Sequence, residues 1–264
     1  MPRAKRRLGQ HFLTDPRILQ RIADALGATA ADTVLEVGPG PGGLTEVLAG
    51  SAGRLVAVEK DADLVPALRG RVPTATIVEA DALEADWHAL GGPDFLVAGN
   101  IPYNITSPLI DKALAPPRPR RIVFLVQKEV AERVGAAPGS EAYGALSVGV
   151  QAVARAERLF TVPAGAFHPR PKVDSAVLRL TPLAVPVVSD EELARFRRLV
   201  VGLFGFRRKQ LGRGLRELTG WEAARVEAAL AAAGIAVSDR PETVTPAGFA
   251  ALLRALVDGG WAAQ

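Results

Sequence analysis

The sequence predicts a doubly wound α/β domain on a mostly parallel sheet, followed by a small all-helical domain. Three observations carry this expectation. Short runs rich in β-branched residues alternate with helical patterns through the first two-thirds of the chain, which implies parallel strands joined by helices that cover both faces. The first of these runs ends in a cluster of glycines that opens a helix. After Pro182 a proline-bearing stretch, PLAVPVV, gives way to purely helical patterns.

Thr14, Asp15 and Pro16 supply a cap and first turn for a helix through Leu26. Residues 33–37 form a first apolar strand, and 43–48 the helix after the glycines. Further strands are expected at 54–59, 75–79, 95–98 and 121–126, with helices at 63–71, 108–113, 128–134 and 145–154. Residues 177–180 (VLRL) read as a late antiparallel strand at the sheet edge. From Ser189 onward, DEELARFRRLVVGLF, RKQLGRGLREL, WEAARVEAALAAAG and TPAGFAALLRALV all have helical patterns. The boundary falls at 183–188, giving domains of residues 1–183 and 188–264.

Composition narrows the function classes. With 264 residues, 48% of them apolar, the chain can bury a sizeable core without staples. It has no cysteine, which excludes disulfides, thiolate metal sites and cysteine nucleophiles. With only three scattered histidines, no metal centre is expected. A chain free of disulfides fits a reducing cytoplasm. There is no apolar run of the roughly 18 residues that a membrane span needs. The basic start, MPRAKRRLGQHFL, lacks the apolar segment of a secretory signal. The net charge is only +4, so clustering matters more than the total. RAKRR at 3–7, RPRR at 118–121 and RRK at 207–209 point to RNA or DNA as the partner.

Gly38, Gly40 and Gly43 fit the G-x-G-x-x-G spacing between a strand and a helix. Glu59 ends the next strand, about 20 residues on, where a carboxylate can accept from ribose hydroxyls. A nicotinamide dinucleotide is the simplest ligand for such a pair. Pro39 and Pro41 argue against it, because each removes an N–H from the loop that would cradle a pyrophosphate. Asp81, after the third strand, can accept from an adenine amino group. The same stretch, Asp81 to Glu84, also reads as a helix capping box. An adenosine ligand without a pyrophosphate fits best, and S-adenosylmethionine is the candidate.

Asn100-Ile101-Pro102-Tyr103 lies at another strand end, facing the same crevice. Pro102 restricts Ile101, so the Ile101 carbonyl and the Asn100 side-chain oxygen form a rigid pair of acceptors. Tyr103 adds a flat face. Two acceptors and a ring suit a planar base with an exocyclic amine. Accepting both N–H bonds of that amine localises its lone pair and stabilises the charge that develops on nitrogen during attack.

On "GQHFL" (9–13), "LEVGPGPGGLT" (35–45), "VEKD" (58–61), "EADAL" (79–83), "NIPYNITSPL" (100–109) and "FHPRPKVDSAVLRL" (167–180), the sequence resembles the ribosomal RNA adenine N6-dimethyltransferases. These are the KsgA group, relatives of the Erm resistance methyltransferases. The resemblance covers nearly the whole chain. It implies a methyltransferase-type, Rossmann-like sheet with a helical C-terminal domain, S-adenosylmethionine as methyl donor and no metal. It implies that His11 and Leu13 border the cofactor, with Asn common in the family where His11 stands. Gly38 would lie under the methionine part, Gly40 would also bind the cofactor, Glu59 would bind the ribose and Asp81 the adenine amine. Asn100 would mark the transfer site, and Phe167 would close over the target base opposite Tyr103. Gly9 and "LFGFRRKQLGRGL" (203–215) resemble the small-subunit enzyme more than the Erm proteins. The implied activity is dimethylation of two adjacent adenines in the hairpin near the 3′ end of small-subunit rRNA. The implied setting is a pre-30S particle in the cytoplasm, with the enzyme a monomer. Arg207, Arg208 and Lys209 are the candidate RNA contacts of the helical domain. The alternatives are an Erm-type large-subunit enzyme, a dehydrogenase, and a non-catalytic RNA-binding assembly factor on the same scaffold.

Overall fold

The computed structural model describes Lys5 and residues 8–262. The other residues of the basic cluster at 3–7 lie outside that range. The chain forms two compact units, one of residues up to Ala131 with Ala156–Pro182, the other of Glu132–Arg155 with the chain from Leu183 on.

The first unit opens with a two-residue strand, β1 (Phe12–Leu13), and helix α1 (Pro16–Leu26). Asp15 caps α1 by accepting from the Arg17 N–H. Then follow β2 (Thr33–Val37), α2 (Gly43–Ala49), β3 (Arg54–Glu59), α3 (Val65–Arg71), β4 (Thr76–Glu79) and α4 (Trp87–Gly91). Next along the chain come β5 (Phe95–Asn100), α5 (Thr106–Ala113), β6 (Arg121–Gln127), α6 (Lys128–Val134) and α7 (Ala145–Gln151), the last of which belongs to the second unit. The remaining strands are β7 (Ala154–Val162), β8 (Phe167–His168) and β9 (Ser175–Pro182). Among the described residues the main sheet has seven strands in the order β4-β3-β2-β5-β6-β9-β7. β2 to β6 pair in parallel, β9 runs antiparallel to β6, and β1 pairs separately with β8. Central strands are apolar on both faces, as a sheet covered by helices requires; Val34, Leu35, Val97 and Val123 are wholly buried. On one face Leu19, Ile22 and Leu26 of α1 pack with Leu44, Leu48, Leu96 and Val123. Each such side chain contributes about 1.5–3 kcal/mol by leaving water.

The predicted strands at 33–37 and 54–59 occur at those limits, and three expectations change. Residues 177–180 are not at the edge, because β7 lies outside β9. The helix expected over 145–154 stops at Gln151 and the chain turns into β7. β7 reads poorly as a strand because ARAERLFTV carries exposed charges, the usual protection of an open edge. No helix begins at Asp81 either. Its carboxylate accepts from the Leu83 N–H at 2.9 Å and closes a turn, and α4 starts later under an Asp86 cap.

The second unit contains α7 with the helices α8 (Leu193–Gly205), α9 (Leu211–Thr219), α10 (Ala223–Ala232) and α11 (Pro246–Asp258). No strand follows Pro182 among the described residues. A single boundary at 183–188 therefore omits residues 132–155. The reason is bonding between residues far apart in sequence: the Tyr143 hydroxyl donates to Val244 O at 2.9 Å, Gly139 N to Glu242 O at 2.7 Å, and Arg207 to Glu141 O at 2.8 Å. Tyr143 is fully buried.

Gly99, near the end of β5, has no room for a side chain. A Cβ there would lie 2.5 Å from the carbonyl oxygen of Val37 on the neighbouring strand. Main chain cannot step aside as a side chain can. Gly99→Ala should cost roughly 1–3 kcal/mol through overpacking, read as a lower denaturant midpoint with unchanged slope.

Candidate active site

Parallel register gathers the predicted residues at one edge. Val37 pairs with Val58 and with Gly99, and Glu59 with Glu79, so β2, β3, β4 and β5 all finish at the same level. Beyond these ends lies a cavity of about 220 Å³. His11, Leu13, Gly38, Gly40, Glu59, Asp81, Asn100 and Tyr103 all line it. Phe167 does not.

The glycine loop is held in a conformation that few other residues adopt: φ is +66° at Gly38 and +58° at Gly40. Every N–H from 38 to 42 is accounted for. Gly38 donates to Val58 O at 3.0 Å, Gly40 to Glu59 Oε2 at 3.0 Å and Gly42 to Pro39 O at 3.0 Å, while Pro39 and Pro41 have no N–H. The loop offers backbone shape but no donors to a pyrophosphate.

Glu59 is buried and also accepts from Asp61 N at 2.7 Å. Burial raises its pKa against these bonds. A carboxylate has about four acceptor positions, so Glu59 keeps acceptor capacity for a hydroxyl group of a ligand. Asp81 pairs with Lys60 at 2.5 Å, and that bond holds its carboxyl below the usual range. It stays an ionised acceptor.

Asn100 ends β5, two residues beyond the expected strand limit. Its Nδ2 donates to His11 O at 2.8 Å. A main-chain carbonyl only accepts, so the amide group must face it, leaving Oδ1 as the free end. Oδ1 has no partner among the described residues. The Tyr103 hydroxyl meets Ser175 Oγ at 2.8 Å, and its ring stacks on His11 with centroids 5.4 Å apart.

Phe167, expected to face Tyr103 across a base, is absent from the residues that line the cavity. Phe167 is 4% exposed and packs in the core with Leu13, Leu19 and Leu44. Alternation along β8 turns Phe167 inward and His168 outward. The ring on Tyr103 is that of His11, itself held by Pro169 O at 2.7 Å from Nδ1.

Glu36 was not among the sequence candidates, because it sits inside a continuous apolar strand. It is 1% exposed, lines the cavity, and its Oε2 has no hydrogen-bond partner among the described residues. Burial pushes its pKa up to about 8; the Thr45 hydroxyl opposes this and the nearby charge of Glu59 adds to it. It is a buried carboxyl, protonated at neutral pH in the free protein, whose ionisation a cationic ligand group beside it would favour. No group of three or more metal-ligating side chains occurs among the described residues.

A pocket shaped for adenosine without pyrophosphate, set beside an oriented acceptor for an amine, is the arrangement of an amine methyltransferase. Comparison with known proteins identifies the family. The sequence model for ribosomal RNA adenine dimethylase matches residues 1–254, and the chain belongs to that family of enzymes. It is 45% identical to ribosomal RNA small subunit methyltransferase A of Geobacter metallireducens, over 97% of this chain and 96% of that protein. It is 44% identical to the protein of the same name from Myxococcus xanthus, over 96% and 91%. Among solved structures it is similar to a dimethyladenosine transferase from Plasmodium falciparum, with a TM-score of 0.80 at 25% identity over 95% of this chain and 99% of that one. It is also similar to the 23S rRNA methyltransferase ErmE, with a TM-score of 0.72 at 31% identity over 93% and 99%.

The raised pKa of Glu36 has a stability consequence. The folded chain keeps this proton up to about pH 8, whereas the unfolded chain loses it near 4.5. The contribution is complete below the lower value and is lost as pH rises through the upper one. The melting temperature of Glu36→Gln relative to wild type should therefore climb across that window. A pH-independent difference would contradict the assignment.

Proposed function

We propose that this protein transfers methyl groups from S-adenosylmethionine to N6 of two adjacent adenines in the hairpin near the 3′ end of small-subunit rRNA. It acts as a monomer, in the cytoplasm, on a pre-30S particle. The observation that carries the reading is the oriented Asn100 amide beside a glycine loop with no free donors. The 45% identity to proteins named small subunit methyltransferases supports that target over the Erm alternative.

The residues present fit the donor. Glu36, with an unpartnered buried oxygen, suits the cationic amino group of the methionine part, next to Gly38 and Gly40. Glu59 takes ribose hydroxyls and Asp81 the adenine amine. When bound, S-adenosylmethionine supplies an electrophilic methyl group. Asn100 Oδ1 and the Ile101 carbonyl accept the two N–H bonds of the target amine and stabilise positive charge as it develops on nitrogen. The product ammonium is acidic, so no strong general base is required. The target adenines must leave their stack, at a cost of a few kcal/mol. With Phe167 in the core, Tyr103 and His11 are the rings available to receive a base.

The basic clusters divide differently from expectation. Arg120 pairs with Asp32, Arg121 donates to Leu26 O at 2.8 Å and Arg118 to Leu114 O at 3.0 Å, so RPRR is engaged in holding the fold. Arg207 is tied to Glu141 and Lys209 to Glu217. Arg208 and Arg216 are exposed and have no side-chain partner among the described residues. We assign phosphate contacts to these two, positioning the enzyme on RNA without reading its sequence.

Methyl-labelled S-adenosylmethionine, incubated with small subunits lacking the modification, should label two adjacent adenines of the 3′ hairpin. Label in large-subunit rRNA would favour the Erm reading, and none at all an assembly factor. Asn100→Ala should lower turnover by about 10²–10³, with cofactor affinity changed only a few-fold. Replacing Arg208 and Arg216 by Ala should weaken particle binding and flatten its log–log salt slope by roughly 0.7–0.9 per lost contact. An unchanged slope would place the contacts elsewhere.

A further inference from the structure

The turn that carries Asp81 is held from outside by two side chains. Trp87, 4% exposed, donates from its indole N–H to Ala82 O at 2.9 Å. Lys112 donates from Nζ to Leu83 O at 2.9 Å and stands 5.7 Å from the centre of the Trp87 ring. Ala82 and Leu83 both line the cavity, as does Asp81. Two successive carbonyls are thus each held by a side-chain donor, and the Leu83 N–H is fixed onto Asp81.

Lys112 comes from a different part of the chain. It lies in the last turn of α5, the helix that follows Asn100–Tyr103. Its bond to Leu83 spans 29 residues and ties the turn beyond β4 to the helix beyond β5. Its charge also favours the ionised form of Asp81, adding to the larger effect of Lys60.

We propose that Lys112 is a positioning residue for the adenosine end of the methyl donor, latching the Asp81–Leu83 turn to the helix that carries the transfer motif. The proposal rests on the S-adenosylmethionine reading. Lys112 touches neither reacting atom. It fixes the spacing between the adenine-binding turn and Asn100, so that a ligand seated at one end presents its other end at the right place. A charge-assisted hydrogen bond also loses more than a neutral one when broken in a partly buried site. A lysine in the last turn complements the helix dipole as well. That contribution is independent of ligand, so melting temperature alone does not test the latch.

The test is calorimetric titration of wild type, Lys112→Met and Lys112→Arg with S-adenosylmethionine and with methylthioadenosine, which keeps the adenosine end and lacks the amino acid. Lys112→Met keeps the aliphatic stem over Trp87 and loses the donor. It should weaken both ligands by the same factor of about ten, the order expected for one such bond. Lys112→Arg should recover most of that loss. In turnover, the KM for S-adenosylmethionine should rise with kcat at saturation nearly unchanged. Equal affinities for wild type and Lys112→Met would overturn the latch, as would a loss confined to S-adenosylmethionine. Should Lys112→Met fail to fold, Lys112→Leu is read by the same criteria. Wild type binding neither ligand would overturn the cofactor reading itself, a separate outcome from loss of the latch.

Discussion

The side-chain amide of Asn100 has one orientation open to it, because the atom it meets, the main-chain oxygen of His11, can only accept. Much of the site depends on that constraint. It leaves Oδ1 as the free end of a side chain that lines the cavity, as the proposed acceptor role requires. The oxygen that imposes it belongs to a segment 89 residues away in sequence, which must itself be held. Several contacts do so. β1 pairs with β8, Gln10 donates to Asp61 at 2.9 Å, Lys5 reaches Asp61 and Asp63, and the His11 ring is fixed between Pro169 O and Tyr103. The strap 8–13 thus orients the Asn100 side chain without supplying a reacting group itself.

The glycine loop works by what it withholds. Dinucleotide sites and this one share a strand, a glycine turn and an acidic residue on the next strand. Here two prolines lack N–H groups and the three glycine N–H groups between 38 and 42 are already bonded. A pyrophosphate would find no free donor within residues 38–42. A methionine chain needs none there, and its charged amino group would face the buried Glu36. The hydrogen-bond accounting of these five residues favours an adenosine ligand without a pyrophosphate.

Much of this was legible in the sequence, and the exceptions have physical causes. Apolar runs bounded by turns located β2 and β3 to the residue, and the strand ends placed Gly38, Glu59, Asp81 and Asn100 together. β7 was hidden because its charges protect an open edge and mask its alternation. The β1–β8 pair was not readable, since two-residue strands carry no period and their pairing joins distant segments. The inward direction of Phe167 was unreadable for the same reason, since it depends on that pairing. Glu36 escaped notice because a buried carboxyl in an apolar strand looks like any strand residue until its burial is known. Clusters of arginine marked basic chemistry but could not separate Arg121, spent on Leu26, from Arg208, which is free of side-chain partners among the described residues. The membership of residues 132–155 in the helical unit rests on long-range bonds such as Tyr143 to Val244.

Replacing Asn100 by aspartate separates acceptor strength from acceptor orientation. The new side chain would be nearly isosteric and a stronger acceptor, but it would set a carboxylate oxygen against His11 O, where the amide now donates at 2.8 Å. The measurement is single-turnover methylation of unmodified small subunits by Asn100→Asp at saturating S-adenosylmethionine. If orientation by His11 is what matters, the rate falls by about 10² or more, the range for a lost transition-state partner. A rate within a few-fold of wild type would show that orientation by His11 does not govern transfer.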